Sequence, residues 1–161
     1  MGRPRTFDTD QAVIAAAALF AAQGYEGTSV DDLVTATGVH RGSLYKVFGS
    51  KRGLHLAALR SHLDHEIHPT TAAIATLSDP AQALTAAVAS YDNGPAAGLL
   101  LLAAAERAPH DPEVAALVAE GIEALEDALR PSHGDAAPQL ASTVLGTRLR
   151  LRAQPTTPKE H

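Results

Sequence analysis

The chain has 161 residues, with 13 Lys and Arg against 18 Asp and Glu, a formal net charge of −5 and no cysteine. The missing thiols exclude disulfides, thiol catalysis and Cys-ligated zinc. No run approaches 18 apolar residues, so no transmembrane helix and no membrane partner are expected, and the chain reads as soluble and cytoplasmic. Alanine fills 33 of 161 positions and aromatics only 4 %, which predicts an all-α chain of one domain or two small ones.

Asp8 opens the first helix, with Gln11 completing a capping box. Val13, Ala16, Ala17, Phe20 and Ala21 then follow helical spacing, and Gly24 is expected to stop the helix. Thr28 starts the second helix with Asp31 as box partner, and Val30, Leu33 and Val34 form its buried stripe. Gly38 ends it. A short third helix runs from Val39 to about Phe48. After Gly49-Ser50 a fourth runs from Lys51 to about Ile67, where Pro69 ends it. Further helices are predicted over 71–76, 80–92, 95–107, 111–130 and 138–153, with turns at Asn93-Gly94-Pro95 and Arg130-Pro131. Residues 154–161 read as a disordered tail.

Charge is divided unevenly. Residues 1–60 hold seven cationic and five acidic side chains, and the remainder holds six and thirteen. A basic N-terminal part suits a polyanion. Two short helices joined at Ala36-Thr37-Gly38-Val39 read as a helix-turn-helix over about 29–48. Gly38 supplies the positive φ of the turn, while Val39 and Leu44 point inward. The outer face of the third helix then carries His40, Arg41, Ser43, Tyr45 and Lys46, groups that read base edges and grip phosphates. Gly42 allows close backbone approach. Thr28 and Ser29 offer amides and hydroxyls at a helix start. Lys51 reaches a further phosphate, and Arg3 and Arg5 form an N-terminal arm. The partner implied is double-stranded DNA.

Residues 6–66 resemble the DNA-binding domain of TetR/AcrR-family transcriptional regulators. The resemblance rests on Ala18-Leu-Phe-Ala-Ala-Gln-Gly-Tyr25, Thr28-Ser-Val-Asp-Asp-Leu33, Gly38-Val39, Ser43-Leu-Tyr45 and Phe48-Gly-Ser-Lys51. It implies that Thr28, Tyr45 and Lys51 contact phosphates and that Arg41 to Lys46 read bases. Position 40, Ser or Thr in the family pattern, is His here, which weakens a helix cap or exchanges it for a DNA contact. The resemblance also implies a helical dimerisation and effector domain over 67–153, shortened relative to the family. The function implied is a repressor, homodimeric on a palindromic operator and released by a ligand. The alternative is an effector-independent or heterodimeric partner of another regulator.

Pro95 to Glu106 resembles a TetR subgroup with Gly-Cys-Leu at this segment. Here Leu99 follows Gly98, and the absence of any cysteine excludes thiol-based sensing. Dimer candidates are Val118, Ile122 and Leu125 on one helix and Leu140, Val144 and Leu149 on the last, with intrachain core as the alternative for each. Candidates for an apolar effector pocket are Leu59, Leu63, Tyr91, Leu99, Leu102 and Glu106. His62, His65 and His68 read as a polar helix face rather than metal ligands. Arg148, Arg150 and Arg152, two residues apart, do not make one face. No Gly-x-Ser-x-Gly or His-Glu-x-x-His pattern is present, so no catalytic residue and no cofactor is assigned, and a small hydrolase is the disfavoured reading.

Overall fold

The structure, a computed structural model, describes residues 8–154. Arg3, Arg5 and all of the C-terminal tail but Gln154 lie outside the described residues. Every regular element among those described is helical.

Helix α1 spans Thr9–Gly27, and the Asp8 carboxylate accepts from the amides of Asp10 and Gln11 at 3.0 and 3.1 Å. Gly24 does not stop it. At φ 78° it kinks the helix, which continues to Gly27. A Cβ at Gly24 would lie 2.2 Å from the Glu106 carboxylate, so glycine is needed for contact as well as for φ. Helix α2 is Val30–Thr37. Its cap is Ser29 with Asp32 as box partner, one residue beyond the expected Thr28 and Asp31. Helix α3 is Arg41–Phe48 and α4 is Lys51–His62.

Pro69 does not end the fourth helix. A π turn over Leu63–Ile67 lets the His68 amide bond the Leu63 carbonyl, five residues back. That change of register absorbs the amide that Pro69 lacks, and the rod continues as α5, His68–Ala75. It therefore runs without a break through residues 66 and 67.

Helix α6 is Pro80–Ser90, capped by Asp79. Helix α7, Leu99–Glu106, starts later than expected because Gly98, at φ 82°, turns the chain. Helix α8, Pro112–His133, is capped by Asp111 and runs through Pro131 in its last turn. Helix α9 is Ala137–Arg152.

Helix α1 packs on α4 and α7, and α8 lies against α5, α7 and α9. One continuous core joins Phe20, Leu33, Leu44 and Leu54 to Leu59, Leu63, Leu125 and Leu129. Three expected dimer residues, Val118, Leu125 and Val144, belong to this core, and Ile122 and Leu140 are half-buried against it. Alanines on the facing helices let α8 sink between its neighbours, so its apolar stripe is consumed within the chain. Leu149 alone of that set is exposed, at 57 %.

Most of the residues expected to line a pocket are buried. Leu59, Leu63, Tyr91 and Leu99 are fully buried, and the Tyr91 hydroxyl donates to the Gly121 carbonyl at 2.6 Å. A Cβ at Gly121 would lie 2.7 Å from Leu100 Cδ2, so the packing here is tight. Leu102 is half-buried, and Glu106 turns towards α1. Among the described residues, no helix is long and apolar enough to cross a membrane.

Candidate nucleic-acid interface

The turn between α2 and α3 is fixed locally. Gly38 sits at φ 67°, ψ 15°, and its amide bonds the Val34 carbonyl. The Thr37 hydroxyl donates to the Leu33 carbonyl at 2.7 Å and accepts from the Val39 amide at 3.2 Å. Val39 and Leu44 are buried and lock α3 against the rest of the unit. The sequence places Thr37 in this turn but does not assign it that role, although a threonine just before a turn glycine is a hydrogen-bonding signal.

With that face inward, α3 presents Arg41, Gly42, Ser43, Lys46 and Val47 to solvent. His40 is exposed beside them and makes no side-chain cap, as expected from its lack of a short oxygen acceptor. Tyr45 is half-buried, with the Arg41 guanidinium 5.5 Å from its ring centroid. A cation can stack there and still turn its edge outwards. Gly42 has open space around its Cα. Val47, 51 % exposed, is an addition: one turn on from Ser43, it places an apolar group on the outer face.

The flanking residues are arranged differently from expectation. Thr28 is buried, its hydroxyl donates to the Gly24 carbonyl at 2.6 Å and its amide bonds the Tyr25 carbonyl. Its side chain therefore holds the α1 kink instead of facing outwards. Ser29 is exposed, but its amide and hydroxyl both donate to the Asp32 carboxylate, at 2.8 and 2.6 Å. Those bonds hold the Asp32 carboxyl below its ordinary pKa and occupy the Ser29 amide and hydroxyl within the chain. The Lys51 ammonium lies 4.2 Å above the Tyr25 ring, at the start of α4.

The helix-turn-helix is tied to the C-terminal helices by contacts that sequence spacing does not show. Arg52 forks onto Asp111 and also reaches Glu113 at 2.9 Å. The Arg52 bonds hold the buried Asp111 carboxyl well below the usual carboxylate range. Arg107 stacks 4.5 Å from the Tyr25 ring and pairs with Glu26 at 3.3 Å. Glu106 accepts from the Tyr25 amide at 2.7 Å. Burial raises the Tyr25 phenol above its ordinary pKa, despite Arg107. Arg148 and Arg152, four residues apart, do share a face: Arg148 reaches the Val88 and Asp92 carbonyls, and Arg152 reaches those of Ala97 and Ala21.

The three histidines disperse. His62 is buried on Asp92 at 2.8 Å, His65 bonds the Ser61 carbonyl and His68 meets Glu120.

This arrangement has counterparts in known proteins. Residues 13–58 match the family model for bacterial regulatory proteins, tetR family. The chain is 34 % identical over 137 residues to YezE of Bacillus subtilis, an uncharacterized HTH-type transcriptional regulator, covering 80 % of this chain and 69 % of that one. It is 48 % identical over 63 residues to the HTH-type transcriptional repressor ComR of Escherichia coli, 39 % of this chain and 30 % of that one. In structure it is similar to a cysteine-substituted form of the TetR family regulator CifR bound to 26-bp double-strand operator DNA. The TM-score is 0.74 at 28 % identity, over 92 % of this chain and 88 % of that one. The helix-turn-helix geometry, the family match and the extent of the YezE alignment together establish that this chain belongs to the TetR family of DNA-binding transcriptional regulators.

Proposed function

We propose that the protein is a repressor that binds a palindromic operator as a homodimer and leaves it when a ligand binds. The observation that carries the DNA-binding part is the outer face of α3, where Arg41, Ser43, Lys46 and Val47 are all exposed while Leu44 anchors the opposite face. Arg41 and Ser43 supply donors to base edges, Lys46 a phosphate contact, and Val47 an apolar contact for a thymine methyl. His40, Gly42, Tyr45, Ser29 and Lys51 border that surface, and Thr28 acts through the kink it holds. The DNA-binding unit is residues 6–66, and 67–153 hold the dimerisation and effector functions.

The repressor assignment is supported by the likeness to ComR, and DNA as partner by the likeness to operator-bound CifR. Homodimerisation follows from the reach of one short helix, which reads only a few base pairs. Two copies about 34 Å apart read two half-sites.

The test is fluorescence anisotropy of the protein on duplex from upstream of its own gene, against scrambled duplex, over a salt series. The expected result is preference for the upstream duplex that survives moderate salt, with two protomers per site. Lys46→Ala should weaken binding to both duplexes and reduce the salt slope by about one. Equal, steeply salt-dependent binding to both duplexes would sink operator recognition at this site.

A further inference from the structure

The chain contains one asparagine, Asn93, and glycine follows it directly. The pair stands in the connection between α6 and α7, and both residues are exposed. Gly94 is at φ 84°, and a Cβ there would come 2.9 Å from the Glu66 carboxylate, so the turn requires glycine. The Gly94 carbonyl accepts from the Ala97 amide at 3.1 Å. The Gly94 amide has no hydrogen-bond partner among the described residues.

The Asn93 side chain has a structural task. Nδ2 donates to the Ala89 carbonyl at 3.3 Å, in the last turn of α6. A neutral donor suits the negative end of a helix, whereas a carboxylate there faces like charge and has nothing to donate. Acidic groups already border the turn. Asp92 precedes Asn93 and is buried, with Oδ1 on His62 at 2.8 Å, and Glu66 lies against Gly94. The turn also anchors other elements. The Asp92 carbonyl accepts from the Gly98 amide and from Arg148 of α9, each at 3.2 Å.

Asparagine is a thermolabile residue, and its environment decides how labile. The nitrogen of the following residue can close a five-membered ring on the side-chain carbonyl carbon. Here that nitrogen belongs to glycine, so no side chain shields it. It is exposed, and no hydrogen bond within the described residues holds its proton.

We propose that Asn93 is a site of spontaneous covalent modification. The Gly94 nitrogen gives its proton to solvent base and bonds to Asn93 Cγ. The side-chain nitrogen leaves as ammonia, which closes a succinimide. Water then adds to one of the two ring carbonyls. Opening one C–N bond gives aspartate; opening the other gives isoaspartate, with the main chain running through the side chain. Either product replaces the donor to Ala89 with a carboxylate beside the acidic groups of the turn. Isoaspartate also lengthens the main chain by one methylene between the Asp92 and Gly94 carbonyls. The modification therefore loosens the turn that joins α6, the π turn and α9. It does not depend on the repressor reading.

The experiment incubates the full chain at pH 8 and at pH 5 in water enriched in heavy oxygen. Residue 93 is followed by peptide mapping with fragmentation that separates isoaspartate from aspartate. The expected result is progressive loss of the Asn93 amide, with both products carrying solvent oxygen, and faster loss at pH 8, where base removes the Gly94 proton. Asn93→Gln sets the amide one carbon further from Gly94 and should suppress the conversion. The thermal midpoint of the aged protein should fall as the converted fraction rises. Asn93→Asp should also lower the midpoint, and added salt should recover part of that loss by screening the like charges. An amide that stays intact at pH 8 would overturn the site, and so would aspartate formed without isoaspartate, because it excludes the succinimide. Midpoints unchanged both in the aged protein and in Asn93→Asp would overturn the loosening of the turn.

Discussion

The Arg52 guanidinium forks onto the Asp111 carboxylate, Nε to Oδ2 at 2.7 Å and Nη2 to Oδ1 at 2.8 Å, across 59 residues of chain. Asp111 does two things at once. Oδ1 also faces the amides of Glu113 and Val114 in the first turn of α8, at 3.2 and 3.4 Å, so the residue that caps α8 also holds the first turn of α4. The fork thus links the first turn of α8 to the helix that follows the helix-turn-helix. Arg52→Ala leaves a buried carboxylate without its fork and should lower the thermal midpoint. Asp111→Ala should lower it further, because the cap is lost as well. The double variant should be more stable than the sum of the two losses implies, as read by a double-mutant cycle. Strict additivity would show that the fork couples nothing.

The same pair predicts an acid limit. Asp111 is held below its ordinary value, so its contribution is complete above the unfolded carboxyl pKa and is lost as pH falls through the lower folded one. His55 acts at higher pH. Burial between Phe20 and Tyr25, whose rings lie 4.8 and 4.9 Å away, lowers it from 6.5 to about 4, with Arg107 adding to the effect. The unfolded chain takes up that proton first, so stability is full above pH 6.5 and declines towards pH 4. The decline from this group is about 3 kcal/mol. His55→Phe keeps an aromatic ring in the gap and removes the buried Nδ1 that has no partner among the described residues. Urea unfolding at pH 7 and pH 4.5 should show a smaller difference for His55→Phe than for the parent. An unchanged difference would place the pH dependence elsewhere.

Gly38 offers a local test of the turn. It lies at φ 67° with nothing within 4 Å of an added Cβ, so the cost of a side chain there is conformational rather than steric. Gly38→Ala should destabilise by about 1 kcal/mol, and Gly38→Asn by less, since asparagine tolerates this region. Operator affinity should fall in the same order, because the turn aims α3. Equal thermal midpoints for the two variants would contradict the left-handed geometry.

The helix-turn-helix was legible because its signals are local: Gly38 for the turn, apolar spacing for the inward face and the order of short motifs through Lys51. What stayed hidden depends on partners distant in sequence. Thr28 and Ser29 both look like caps, and only the kink at Gly24 decides that the first is buried and the second caps α2. Arg52 looks like any cation at a helix start until Asp111 folds against it. The stripe on α8 has the same periodicity whether it faces its own chain or another. It faces its own because α5, α7 and α9 surround it. Pro69 looks like a stop, and only the π turn at Leu63–Ile67 lets the helix pass it.

Leu149 is the most exposed of the apolar residues expected to join two copies. It is 57 % exposed on α9, one turn from Gly146, where an added Cβ would meet nothing within 4 Å. A bare glycine beside a large apolar side chain allows a second helix to approach closely, and the leucine then fills the space alongside. In the proposed homodimer, Leu149→Glu would put a charge into such a contact without touching the core of one chain. It should shift the sedimentation mass from dimer to monomer and weaken operator binding, with the far-UV spectrum unchanged, and Leu149→Met should restore both. A dimer that survives Leu149→Glu would move the interface off this face of α9 and onto the half-buried positions Ile122 and Leu140, where the next substitutions belong.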